Sequence, residues 1–301
     1  MKRTLILLAM ALAVLPAGAA DKLRVVATLE DLASIARCVG GDDVSVTGIA
    51  NGGQDPHFLD AKPSYLVLLN RADVLIENGG ELEVGWLPLL VNNARNRRIL
   101  AGASGRVNAM NGIQMLEVPN VLSRAEGDVH PYGNPHFTID PVNDKIIARN
   151  IAGAFAACAP EKAARFQANL DAFNKRIDES LARWQAQMAP LRGLKIVTFH
   201  KTFSYFAPRF GLDVAGTIEP KPGIAPSPGY LTELIVKMKT EGVKLVLTEP
   251  FRDLKVAQFA ADKAGAKFLI APSGIGGNAE SKDLFSFFDW TIQQIVKAAG
   301  H

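Results

Sequence analysis

Cysteine is nearly absent from this chain, with two in 301 residues. No disulfide framework can therefore carry the fold, and the cysteine-rich structural zinc modules are excluded. Charge of one sign is also lacking: 33 Lys and Arg against 30 Asp and Glu leave a formal +3, too small an excess for a nucleic-acid surface. Aromatics are 7% and charged residues 21%, against 48% hydrophobic, which supplies a core and does not describe a disordered chain. There is no heptad pattern, low-complexity tract or fixed-period repeat. P-loop, dinucleotide-binding glycine, His-Glu-x-x-His and Gly-x-Ser-x-Gly patterns are missing too, which removes the usual marks of nucleotide, zinc-protease and serine-hydrolase chemistry. Histidine is scarce at five residues, and their positions carry the functional argument.

One apolar run stands at the N-terminus. Lys2 and Arg3 precede Leu5 to Leu15, then Pro16 and the small residues Ala17-Gly18-Ala19-Ala20. The run is shorter than the roughly 20 residues a permanent span needs, and this layout reads as a signal peptide over 1–20. Its removal takes away two positive charges and leaves a near-neutral mature chain. A periplasmic location follows as the expectation, and such a compartment would permit a Cys38–Cys158 disulfide. Two free thiols are the other reading, since sequence does not give their separation.

The mature chain alternates strand and helix patterns. Leu23 to Thr28 and Val44 to Ile49 read as strands flanking a helix over Leu29 to Val39, which Gly40-Gly41 closes. A helix from Pro63 to Asn70 and a buried strand at Val74 to Ile76 follow. From Pro141 to about Ala189 helix formers dominate, with Phe155, Phe166, Leu170, Phe173, Ile177, Leu181 and Trp184 at three- and four-residue steps. Pro160 divides this stretch, because proline fits best in a first turn. Strands at Lys195 to Phe199, Val243 to Leu247 and Lys267 to Ile270 then alternate with helices at Leu231 to Lys239, Val256 to Lys263 and Leu284 to Lys297. Such alternation predicts an α/β protein of two lobes with parallel central sheets. The lobes fall at 21–159 and 190–301, joined by a long rigid helix over 160–189 that restricts their relative motion.

Apart from the terminal His301, the histidines sit in loops or just beyond strands, where open parallel sheets bind ligands. His57 lies in Gly53-Gln54-Asp55-Pro56-His57, His130 and His136 in His130-Pro131-Tyr132-Gly133-Asn134-Pro135-His136, and His200 directly after a strand. Proline precedes both His57 and His136 and aims their backbones. Three neutral imidazoles suit zinc.

These motifs, together with Lys62-Pro63-Ser64, Ala72-Asp73, Asn78-Gly79, Asp140-Pro141, Tyr205-Phe206, Ile218-Glu219-Pro220-Lys221-Pro222-Gly223 and Glu249-Pro250, resemble the TroA-like zinc/manganese receptors of ABC importers. The resemblance covers essentially the whole mature chain. It implies two α/β lobes on a rigid helix, with His57 and His136 contributing metal ligands from the first lobe and His200 from the second. It further implies a monomeric, non-enzymatic receptor for Zn²⁺ or Mn²⁺ that partners an ABC permease and no nucleic acid.

Two features depart from the family pattern. The His- and acid-rich loop of many members shrinks here to Leu116–Gly133, with His130 alone, either an auxiliary ligand or an ordinary exposed histidine. The stretch Ala271 to Gly277, where members place a carboxylate ligand, has none. Glu249, Glu280 or water is then the fourth ligand, and Glu249 is the carboxylate expected there. Glu219 and Lys221 are expected to shape a rigid loop at the cleft or at the permease-facing surface, Glu77, Glu81 and Glu83 to be surface acids, with a place at the cleft border as the other reading, and Trp86 to be a core aromatic. The competing functions are a secreted zinc hydrolase with Glu249 as base, and a metal chaperone or adhesin that works without a permease.

Overall fold

A computed structural model of the chain describes residues 22–121, 123 and 127–300. The expected signal peptide at 1–20 and the terminal His301 lie outside the described residues. The first lobe is built on β1 (Leu23–Leu29), β2 (Val44–Ala50), β3 (Val74–Glu77) and β4 (Arg106–Asn108), in the order β2-β1-β3-β4 with every pairing parallel. The second lobe has β5 (Lys195–Thr198), β6 (Asp213–Thr217), β7 (Leu245–Thr248) and β8 (Lys267–Ile270), in the order β6-β5-β7-β8, again all parallel. The two lobes thus share one topology without sharing a sequence repeat. In each, the chain leaves its first strand to one side and returns on the other, which opens a crevice at the carboxyl ends of the strands.

Nine helices are described: α1 (Glu30–Gly40), α2 (Pro63–Arg71), α3 (Leu87–Ala94), α4 (Pro141–Cys158), α5 (Ala163–Met188), α6 (Phe206–Phe210), α7 (Pro228–Glu241), α8 (Leu254–Ala264) and α9 (Leu284–Ala298). Their ends are encoded locally. Asp140, Ser227, Asp253 and Asp283 each accept a backbone N–H in the first turn that follows, satisfying donors a helix leaves unpaired. Pro160 does fall in a first turn, a 3-10 turn over Pro160–Lys162 that precedes α5. Two strands escaped the sequence reading, β4 and β6, because β4 has three residues and β6 carries Gly216 and exposed positions. Among the described residues no helix is long and apolar enough to cross a membrane.

The connecting helix α5 has 26 residues, about 39 Å at 1.5 Å per residue. Its apolar stripe, Phe166, Leu170, Phe173, Ile177 and Trp184, is buried against α1 and α4 on one side and α9 on the other. Trp184 packs tilted against Phe288, with ring centroids 4.9 Å apart, and donates its indole N–H to Asp289 at 2.6 Å. One continuous apolar core includes Val25 and Ile76 of the first sheet, Ile196 and Leu245 of the second, and this stripe. The lobes are therefore wedded through shared packing as well as through a covalent linker.

A second seam joins the lobes near the site. Gly52 donates its N–H to Ile275 O at 2.7 Å, Asp31 accepts from Ile275 N, and Ser34 Oγ accepts from Leu284 N. A Cβ on Gly52 would lie 1.9 Å from Gly274 O, and one on Gly274 would lie 2.3 Å from the Asp31 carboxylate, so both positions require glycine. The carboxylate-free stretch Ala271 to Gly277 is used here as a backbone seam. Cys38 and Cys158 are both free, and burial pushes both thiols above their ordinary value, which keeps them unreactive.

If the lobes share one core through α5, Trp184→Ala destabilises the whole protein by about 3–5 kcal/mol. Urea denaturation checks this; a single transition with that loss is expected, and a loss below about 1 kcal/mol would contradict the shared core.

Candidate metal centre

His57 is presented by the loop that leaves β2. Asn51 Oδ1 accepts from Gly53 N at 2.9 Å, and the Pro56 carbonyl accepts the indole N–H of Trp86 at 2.9 Å. Trp86 is buried as expected, and it also anchors this loop. Asp55 then fixes the ring: its Oδ1 accepts from His57 Nδ1 at 2.8 Å and from His57 N at 3.1 Å. With Nδ1 protonated, Nε2 keeps its lone pair for a ligand. Burial works to raise the Asp55 carboxyl, but its hydrogen bonds from the His57 ring and backbone and the charge of Arg252 hold it below the ordinary value.

His136 is set by a segment tied to both lobes. Asn134 Oδ1 accepts from His136 N at 2.9 Å, while Asn134 Nδ2 donates to Lys201 O at 2.8 Å in the second lobe. Tyr205 OH donates to Asn134 O at 2.8 Å and accepts from Leu116 N at 2.9 Å. Gly133 adopts φ 106°, and a Cβ there would lie 2.6 Å from Leu116 O. From the first lobe, Asn78 Nδ2 donates to Pro135 O at 3.0 Å, and Asn78 is in turn held by Glu83. Glu83 accepts from Thr28 Oγ1 at 2.6 Å and from the Asn78 N–H at 2.7 Å. This corrects the expectation of a surface acid: Glu83 is 3% exposed, and burial pushes its carboxyl up to about 7 against those hydrogen bonds. Glu77 pairs with Arg106, and Glu81 is exposed.

His200 follows β5 and is buried. Its Nδ1–H donates to Glu219 Oε2 at 2.7 Å. Glu219 follows β6, the neighbour of β5, so the parallel pairing brings the two strand ends together. Glu219 thus orients a histidine, a more specific task than shaping a loop. Arg252, after β7, completes the arrangement: its Nη1 lies 3.2 Å from Asp55 Oδ2 and 3.4 Å from Glu219 Oε1. One guanidinium therefore bridges the carboxylates behind His57 and His200 across the lobes.

The imidazoles of His57, His136 and His200 converge. Their potential ligand atoms lie within 4.8 Å of one another, and His200 Nε2 is 3.2 Å from His136 Nε2. Tetrahedral zinc with Zn–N of about 2.0–2.1 Å has N···N edges of about 3.3 Å, so these residues fit zinc. Burial, then the neighbouring imidazoles and Arg252, hold His136 well below the ordinary imidazole value, in the neutral form a metal needs. His130 adjoins the group, its Nε2 3.1 Å from His57 Nε2. Glu249 follows β7 and is fully buried; it stands outside the three-histidine group, 3.9 Å from Arg252 Nε, and its oxygens have no hydrogen-bond partner among the described residues. Glu280 is exposed. A cleft of about 570 Å³ opens beside the histidines, lined by Glu117, Val121, Asp128, His130, Lys201 and Lys221 among others.

Asp55 and Arg252 escaped the sequence reading. For Asp55 the signal was its place two residues before His57, where a carboxylate can reach the ring Nδ1. Arg252 gave none, because its partners lie on other loops.

The chain matches the protein family described as ZnuA, zinc-uptake complex component A, periplasmic, over residues 25–298, and it belongs to that family. The high-affinity zinc uptake system protein ZnuA of Brucella abortus is 32% identical over 164 residues, 54% of this chain and 48% of that protein, so the match spans about half the length of this relative. The manganese ABC transporter substrate-binding lipoprotein PsaA of Streptococcus pneumoniae is 25% identical over 291 residues, 93% of this chain and 90% of that protein. In three dimensions the chain is similar to a crystal structure of ZnuA, with a TM-score of 0.77 at 23% identity, covering 93% of this chain and 100% of that one.

The depressed His136 value makes stability depend on pH. Below about 6.5 the unfolded chain takes up this proton first, so the residue's contribution is complete above that pH and is lost on acidification. In urea denaturation of metal-free protein at pH 7 and pH 5, wild type is expected to lose more stability than His136→Gln. Equal losses would contradict a neutral, buried His136.

Proposed function

We propose that this ZnuA-family chain is a periplasmic, monomeric receptor that captures a divalent transition metal between its lobes and delivers it to an ABC permease, without chemical turnover. The signal peptide read at 1–20 supports export. The observation that carries the reading is the convergence of His57, His136 and His200 from both lobes, with the rings of His57 and His200 each oriented through Nδ1 by a carboxylate. Metal-ligating histidines are characteristically held in this way.

The relatives are described as zinc-uptake and manganese-transport proteins. Between those ions the donor set favours Zn²⁺, because neutral imidazole suits zinc whereas manganese prefers oxygen donors. Glu249 is the carboxylate expected from sequence to complete the shell; the 3.1 Å approach of His130 Nε2 to His57 Nε2 favours a nitrogen. The shared core and the glycine seam support a preformed site, with metal entering through the cleft and little closure of the lobes. Glu249, the only base a hydrolase reading named, is buried beside Arg252, which favours a receptor.

Calorimetric titration of the metal-stripped mature protein tests this. One Zn²⁺ per chain is expected, with Mn²⁺ weaker by at least about 10-fold. His57→Ala or His200→Ala should weaken zinc by about 100-fold or more, beyond the 10–100-fold cost of losing a second-sphere partner. Absence of one-to-one zinc binding, or binding indifferent to both substitutions, would overturn the proposal.

A further inference from the structure

We propose that His130 is the fourth zinc ligand, so that the cargo sits in a shell of four imidazole nitrogens whose last member is carried by a loop. The inference rests on the metal-receptor reading above and extends it.

The geometry is the first ground. His130 Nε2 stands 3.1 Å from His57 Nε2, and the facing pair on the other side, His136 Nε2 and His200 Nε2, stands 3.2 Å apart. Both separations are close to the edge of about 3.3 Å between two nitrogens on a tetrahedral zinc. The Nδ1 atoms of His57 and His200 are already committed to Asp55 and Glu219. In each facing pair, then, at least one Nε2 presents a bare lone pair. Without metal, a proton on the partner nitrogen makes the contact a hydrogen bond; a metal ion takes the place of that proton and binds both lone pairs.

The second ground is how His130 is held. Its ring hydrogen-bonds to the backbone of Gly80 in the first lobe. Two residues earlier, Asp128 N donates to Pro222 O of the second lobe at 2.9 Å, and Gly133 N donates to the His130 carbonyl at 3.1 Å. The segment therefore crosses the cleft with contacts on both lobes, and its imidazole meets the triad at the His57 corner. A free surface histidine would need none of these ties.

Glu249 is the competing donor. It is buried at the end of β7 with Arg252 as its near charge; like His130, it lies outside the group whose ligand atoms are all within 4.8 Å of one another, but His130 already touches a member of that group through Nε2.

A shell of four imidazoles leaves no position for water and raises the preference for zinc over manganese. It also makes the loop ligand the one most readily withdrawn, so release begins when His130 leaves.

Zinc K-edge X-ray absorption on the zinc-loaded mature protein tests the assignment. Wild type should show four imidazole nitrogens, and His130→Ala three with one oxygen. By competition titration His130→Ala should bind zinc at least about 10-fold more weakly, no less than the loss of a second-sphere partner costs, with the zinc-to-manganese ratio reduced. The shell in Glu249→Gln should match wild type. Thermal melting of metal-free His130→Ala, expected to match wild type, separates ligand loss from misfolding. A wild-type shell of three nitrogens and one oxygen, unchanged in His130→Ala, would overturn the inference while leaving the receptor reading intact, and an oxygen lost in Glu249→Gln would assign the position to Glu249. Failure of wild type to bind zinc would remove both.

Discussion

Arg252 stands between Asp55 of the first lobe and Glu219 of the second, and the order of the site depends on that bridge. Each carboxylate fixes the tautomer of a histidine by accepting its Nδ1–H, and each would repel the other without a cation between them. A guanidinium is suited to this task because its charge persists at any relevant pH, and here a single nitrogen, Nη1, faces both carboxylates. It lets two acids sit behind adjacent imidazoles with their charges balanced. The imidazoles in front can then be neutral and crowded.

Crowding of that kind is tolerable only in a stiff frame. Nitrogens held 3.1–3.2 Å apart come from loops of two separately wound sheets, and an ångström of drift between the lobes would scatter them. The frame answers with one continuous core running through α5 and with a glycine seam in which Gly52 and Gly274 meet backbone to backbone. Near the site, the ion pair of Arg209 with Asp140 at 2.7 and 2.9 Å and the Tyr205 and Asn134 hydrogen bonds tie the His136 segment to the second lobe. Under the proposed receptor function, selectivity would follow from the fixed placement of nitrogen donors, with little demand for domain closure.

Much of this was legible in the sequence. The strand-helix alternation gave two parallel α/β lobes, the proline-marked long helix gave the connection, and the scarcity of histidine outside loops picked out His57, His136 and His200. These signals are local: periodicity, capping and residue type at strand ends. What escaped depends on distance in space. Glu83 looks like one of three surface acids, yet it is buried because Thr28 and the Asn78 backbone donate to it from an adjoining strand end. Arg252 has no distinguishing neighbours in sequence, since its partners Asp55 and Glu219 are supplied by other loops. Glu219 could have been connected to His200 only by knowing that β6 pairs beside β5, and β6 itself is a weak strand by composition. The Gly-rich stretch at Ala271 to Gly277 read as a ligand loop lacking its ligand, whereas contacts with Gly52 and Asp31 make it a seam.

The proposed receptor function requires zinc to lie between the lobes on imidazole nitrogens contributed by both. The most direct measurement is a crystal structure of the zinc-loaded protein with anomalous data collected on both sides of the zinc edge. A single strong anomalous peak is expected, bonded at about 2.0–2.1 Å to Nε2 of His57, His136 and His200. A peak elsewhere on the molecule, or one at this place held by oxygen donors without these histidines, would contradict it.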